Sequence, residues 1–346
     1  MFPNRFLLTL GRGVLCGLLS LPCLADQASS TSPEGHIDST DAVRLLSDYQ
    51  ARPVQPWRLP DPAAIPQGAE GQRIRAGMAL LQQTARLAGP LAADPSKRFS
   101  RNNLNCVNCH QAGPSGLPGS KPYGLPLVNA INDYPKLDPK SMRMITLEQR
   151  VAGMFGKGEV ALTEQTPELQ AILAYLRWLG SETEPGKAMT GSGLMDVALP
   201  ERSADPERGR GLYAALCAQC HGPRGEGMPA ADFALGGGYL FPPLAGDDTY
   251  DDGGHMYMVP LLTRFIHANM PLGSSAEAPQ LKVGEAYDIA AYINSELPRR
   301  HAPGRIGAYP DPAFRPAGFA IPEHFPGDPE GYRRARFGPF VEDAHQ

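Results

Sequence analysis

The residues best placed to do chemistry in this 346-residue chain are two pentapeptides, Cys106-Val107-Asn108-Cys109-His110 and Cys217-Ala218-Gln219-Cys220-His221. Each reads C-x-x-C-H, in which two thiols add across the vinyl groups of a haem and the next histidine is carried beneath the iron. Two intervening residues make one tight turn, so both sulfurs meet the same porphyrin edge. The competing chemistries are a thioredoxin-like C-x-x-C and half of a zinc site. Zinc would want further Cys or His ligands at short spacing, and neither motif has them. The pattern predicts two covalently bound c-type haems, anchored by Cys106, Cys109, Cys217 and Cys220, with His110 and His221 as iron ligands.

Such an iron takes a sixth ligand or keeps an open position. A methionine thioether favours the ferrous state and raises the potential, whereas an open position permits chemistry. Met270 lies 49 residues past His221, at the end of a helical stretch that Pro271 stops. Its competitors are a core methionine, the commoner fate of the 11 in this chain, and His255, Met256 or His267 as the ligand. Met154 holds the matching place in the first half, 44 residues past His110. There the alternatives are a core filler and Lys157, whose amine binds iron when its pKa is lowered. The carbonyls of Pro126 and Pro243 are expected to accept the Nδ1 protons of His110 and His221 and so fix each ring.

The elements that must position these groups repeat along the chain. A helix is expected over 70–88, where Ile74, Met78, Leu81, Ala85 and Ala88 keep helical spacing before Gly89-Pro90. Others follow over 146–155 and 166–179, the last opened by Thr166-Pro167-Glu168 as cap, first-turn proline and first-turn acid. The second half repeats this order with helices over 205–216, 260–269 and 283–297. Ala174-Tyr175-Leu176 and Ala291-Tyr292-Ile293 match in the two closing helices. The fold class is therefore mainly α: two tandem cytochrome c-type domains, each built around a covalent haem. The expected divisions are a signal peptide at 1–25, an extended N-terminal arm at 26–65, a first domain at 66–180, a linker at 181–203, a second domain at 204–298, and a Pro/Gly-rich tail at 299–346 that packs across the domains. His36, in the arm, reads as a surface residue.

Bulk properties agree. The net charge of -4 argues against nucleic acid as a partner, since its binders carry basic patches. The chain has 38 glycines and 36 prolines, which predicts much irregular backbone between short helices. Arg5 and Arg12, the apolar run 14–21 and Cys23-Leu24-Ala25 form an export signal with a cleavage site near Asp26. The run is too short for a membrane span, so a soluble periplasmic protein is expected. Cleavage removes Cys16 and Cys23, leaving four cysteines, all in haem motifs, with no disulfide and no free thiol.

Several segments resemble the dihaem thiosulfate dehydrogenase family of tetrathionate-forming cytochromes. They are Asn103-Leu104-Asn105-Cys106, Thr146-Leu147-Glu148-Gln149-Arg150, Phe241-Pro242-Pro243-Leu244, Phe265 through Pro271, Glu285-Ala286-Tyr287-Asp288-Ile289-Ala290-Ala291-Tyr292 and Arg336-Phe337-Gly338-Pro339-Phe340. The resemblance implies a catalytic first haem with a cysteine thiolate ligand and basic residues holding the substrate anion. It implies a second haem with a methionine, preceded by Asn or Lys, that passes electrons out. Asn269-Met270 fits the second haem and Arg150 fits the basic site, with Lys140 and Arg143 as further candidates or as a solvated face. The cysteine place, however, reads Met154, and Gly156-Lys157-Gly158 lacks the family's Arg-Ser run. A thioether is neutral and cannot take a covalent sulfur adduct as a thiolate does. Ligand chemistry alone thus reads as a dihaem electron carrier between a dehydrogenase and a small cytochrome or oxidase. The alternative is an oxidoreductase acting on thiosulfate or another small anion at the first haem, with Met154 displaced in turnover. A haem subunit docked to a catalytic partner through its arm and tail is a third.

Overall fold

The computed structural model describes residues 35–340, which fall in a single compact unit. The expected export segment, 1–25, lies outside the described residues. Among the described residues no helix is long and apolar enough to cross a membrane.

The chain is mainly helical and repeats one scaffold. The stretch expected to be an extended arm instead holds helix α1 (Ser39–Gln50), capped by the Asp38 carboxylate on Asp41 N. Ala42 is buried on one side of it, and Leu45 and Leu46 pack with Ile37, Leu137 and Met142. A stripe this short, in so polar a segment, carries too weak a period to be legible without the surface it packs on. His36 is exposed, as expected, and bridges Arg143 through its backbone.

The expected helix over 70–88 is broken in two. Helix α2 (Gly68–Gln82) ends at Gln83, and a separate short turn runs Thr84–Ala88. The Thr84 hydroxyl donates to Leu80 O (2.7 Å) and accepts from Cys106 N (3.0 Å), so the break serves the first haem motif. Helix α3 (Leu147–Phe155) opens with a capping box between Thr146 and Gln149. Helix α4 (Pro167–Leu179) starts where Thr166 and Pro167 indicated, but the Thr166 hydroxyl accepts from Thr163 N instead of capping the helix. The second half has α5 (Pro206–Leu216) with Asp205 as its cap, α6 (Val259–Asn269) and α7 (Val283–Glu296). The tail, expected to be irregular, contains a further helix, α8 (Pro329–Phe337).

In each half the helix before the haem motif crosses the closing helix at a glycine. A Cβ on Gly77 of α2 would lie 2.0 Å from Ala171 O and 2.8 Å from the Tyr175 Cβ. A Cβ on Gly209 of α5 would lie 2.0 Å from Asp288 O and 2.9 Å from the Tyr292 Cβ. Only glycine admits so close an approach of two helix backbones. Tyr175 and Tyr292, the matched residues of the two closing helices, thus sit at the same place in two copies of one crossing.

Two cores follow from this. One gathers Ile74, Leu81, Leu169, Leu173, Tyr175 and Leu176, and the other Tyr213, Val259, Ile266, Tyr287, Ile289 and Tyr292. The first core also takes Trp57 and Leu59 from the arm and Met189 from the linker, where the strand Ala188–Met189 pairs in parallel with the strand Val54–Gln55. The arm and linker are therefore part of the first half's packing. The tail binds both halves, as expected. Tyr309 N donates to Lys140 O (3.0 Å), and the Tyr287 hydroxyl donates to Phe337 O (2.7 Å).

Candidate active site at the two haem motifs

The four motif cysteines are free of disulfides and half-buried, as are His110 and His221. Surface remains open on each although protein surrounds them, so they line clefts rather than a close-packed core. Burial is the first cause of their shifted acidities. It pushes the thiols of Cys109 and Cys217 up to about 11 and lowers both imidazoles. The His110 Nδ1 donates to Leu125 O (2.6 Å) and the His221 Nδ1 to Pro242 O (2.8 Å). The carbonyls are thus those before Pro126 and Pro243, not those of the prolines predicted to be the partners. Each bond fixes a tautomer whose Nε2 is left as a donor for iron. The donor set of each cleft, two thiols and one oriented imidazole, fits a covalent haem.

The two methionines are placed alike and surrounded differently. Met154 lies in the last turn of α3 and is 55% exposed, so it is no core filler. Met270 caps the C-terminus of α6, with its N–H on Ile266 O (2.9 Å), and packs against the second core. Four residues ahead of each, on the same helix face, stand Arg150 in the first half and the buried Ile266 in the second.

Arg150 is the centre of a basic group. It is half-buried and has no ion-pair partner among the described residues; the acid of its own helix, Glu148, pairs with Arg177 (3.7 Å). Its charge acts on His110, Tyr134, Lys136, His255 and Tyr309. Lys136 sits over the Tyr134 ring at 4.9 Å and the Tyr49 ring at 5.5 Å, and burial lowers its pKa. Lys140 donates to Gly253 O (2.9 Å) and so draws the segment before His255 toward the first half. His255 keeps an exposed side chain within this protein-lined cleft. Burial first, then Arg150 and Lys140, lower its pKa to about 4, which leaves it neutral near pH 7.

These placements revise several expectations. His255, considered as an iron ligand in its own half, belongs to the basic group of the first. His267 is buried with its Nδ1 on Leu281 O (2.8 Å), and the Met256 carbonyl accepts from Asn294. Arg143 is exposed on the strand Arg143–Ile145. Lys157 is exposed just past α3. Sequence reasoning missed Tyr134 and Lys136, two residues apart, and Tyr309, far along the chain, which share no motif. Lys136 and Lys140, four apart, were the one local sign.

Comparison with known proteins now bears on this site. A family model described as cytochrome c matches residues 206–296. Thiosulfate dehydrogenase from Allochromatium vinosum is 34% identical over 254 residues, covering 73% of this chain and 88% of that protein. The chain belongs to the thiosulfate dehydrogenase family. The thiosulfate dehydrogenase of Stutzerimonas stutzeri is 30% identical over 69% of this chain and 72% of its own length. A solved structure titled thiosulfate dehydrogenase (TsdBA) from Marichromatium purpuratum, in its as-isolated form, matches with a TM-score of 0.59 and 31% identity. That match covers 68% of this chain but 48% of the other, so this chain spans about half its length. The protein is a c-type cytochrome carrying covalent haem.

Proposed function

We propose that this protein is an exported dihaem oxidoreductase that joins thiosulfate into tetrathionate at the first haem motif and sends the electrons out through the second. The observation that carries the reading is Arg150, half-buried and without an ion-pair partner among the described residues, among Lys136, Lys140 and His255. Joining two thiosulfate dianions forms one S–S bond and releases two electrons and no proton. The difficulty is bringing four negative charges together. Arg150, Lys136 and Lys140 offset that repulsion in a cleft of reduced dielectric, and Arg150 holds a planar donor fork for an oxyanion. His255, neutral at pH 7, adds a hydrogen-bond donor without a further charge. When bound, each haem, attached at Cys106 and Cys109 or at Cys217 and Cys220, supplies one-electron acceptance. In this reading Met154 and Met270 would be further iron ligands, of the first and the second haem.

Family membership supports this over the electron-carrier reading to which ligand chemistry first pointed. One observation still favours the carrier. Met154 stands where the resemblance places a thiolate, and the described cysteines are those of the haem motifs. The test is tetrathionate production by purified holoprotein given thiosulfate and an artificial acceptor. Turnover that falls about a hundredfold in Arg150→Ile, with haem content unchanged, is expected for a charged group stabilising the joined anions. Absence of turnover in the unmodified protein, with rapid electron exchange with a small cytochrome, returns the assignment to a carrier.

A further inference from the structure

The loop that orients His110 is held from the other half of the molecule. Asn269, one residue before Met270, is 1% exposed and spends both protons of its amide. One goes to Phe265 O in its own helix (3.0 Å), and the other to Tyr123 O in the first half (2.9 Å). Two residues beyond Tyr123 lies Leu125, whose carbonyl accepts from His110 Nδ1 at 2.6 Å. A second tie runs beside it, from Lys121 Nζ to Ser274 O (3.0 Å).

This loop is under backbone strain. Tyr123 and Leu125 have φ of 58° and 54°, a region that is strained for a non-glycine residue and persists only where the surroundings enforce it. Between them Gly124 comes so close to Asn269 that a Cβ would lie 3.2 Å from its Oδ1 and 3.1 Å from the Lys121 Cβ. The Asn269 Oδ1 is itself buried without a partner. Leaving a buried amide oxygen unsatisfied is costly, a cost set against the bond that the same amide makes to Tyr123 O. The second motif differs. His221 bonds to Pro242 O within its own half, and no non-glycine residue between 222 and 243 has a positive φ.

We propose that Asn269 is a positioning residue linking the two haem sites. By holding the strained 121–125 loop, it keeps Leu125 O against His110 and so sets how strongly that imidazole donates to the first iron. This rests on the two-haem reading above, and not on which substrate is used. A strong Nδ1–H bond makes the ring a better donor and stabilises the ferric state. Releasing the loop weakens the bond, so the first haem's potential rises.

The test is a spectroelectrochemical titration of the full holoprotein and two variants, one from each side of the contact. Asn269→Leu removes the donor, and Gly124→Ala pushes the loop off Asn269 without touching the second haem's ligand. Both are expected to move the first haem to higher potential and to weaken the hydrogen-bonded Nδ1 proton signal of its histidine in paramagnetic NMR. Unmoved first-haem behaviour in Gly124→Ala overturns the proposal, as does a shift confined to the second haem in Asn269→Leu. Should Asn269→Leu not assemble, Gly124→Ala alone decides. A haem count of one per chain in the unmodified protein would instead sink the two-haem reading itself.

Discussion

The two halves share a scaffold and differ at the site it carries. Each crosses two helices at a glycine under a tyrosine, Gly77 with Tyr175 and Gly209 with Tyr292, and each ends a helix at a methionine. One turn before that methionine the first half places a cation with no ion-pair partner among the described residues, and the second a buried isoleucine. In the proposed function the first half thus gives an anion a reason to stop beside its haem motif, and the second does not. Their closing helices diverge too. Four residues before Tyr292 stands Asp288, 0% exposed, taking Arg202 at 2.7 Å and Arg208 at 2.9 Å. Four residues before Tyr175 stands Ala171. The duplicated crossing fixes the fold, and the residues one helical turn away from it are free to specialise.

The scaffold half of this comparison breaks most heavily. Gly77→Val and Gly209→Val each drive a side chain into a facing backbone carbonyl, well beyond ordinary overpacking at about 1–3 kcal/mol. Each variant is expected to lose its own half and retain one haem, measured as haem per chain. Retention of two haems by both would show that neither crossing is needed to hold its half, and loss by only one that the two are not equivalent supports. Asp288→Ala comes next. It removes the acceptor of two guanidinium groups and of Asp205 N, and should cost about 3 kcal/mol in chemical unfolding. That is the lower end for a broken buried pair, because both arginines can turn to water. Ala171→Ser, its counterpart, should stay under about 1 kcal/mol.

The smallest effect separates the methionines. Met270→Ala should remove a thioether-iron absorption that is stable to added thiosulfate. Met154→Ala should remove the one that thiosulfate already perturbs. If the anion disturbs both bands equally, the contrast between the halves does not reach the iron.

Much of the architecture was legible because it is written locally. The capping box at Thr146, Asp205 before Pro206, and the matched Ala-Tyr pairs all act within a turn or two of chain, and the helices start and stop there. The two misread segments show the limit. The single helix expected over 70–88 breaks at Gln83 because Thr84 is needed by Cys106, 22 residues away. The arm folds as α1 because Leu137 and Met142 supply the surface that it covers. In neither case does the local pattern contain the partner.

The same division holds at the site. Sequence by itself marked the two haem motifs, with their expected anchors and histidine ligands, and the family, since covalent attachment requires fixed residue types at fixed short spacing. It also marked Arg150, Met154 and Met270. Tertiary structure alone brought His255 within reach of the Arg150 and Lys140 charges, left Arg143 exposed, and set Asn269 on the loop behind His110. Charges and hydrogen bonds act through space over a few ångströms, and the chain brings together residues more than a hundred positions apart to satisfy them.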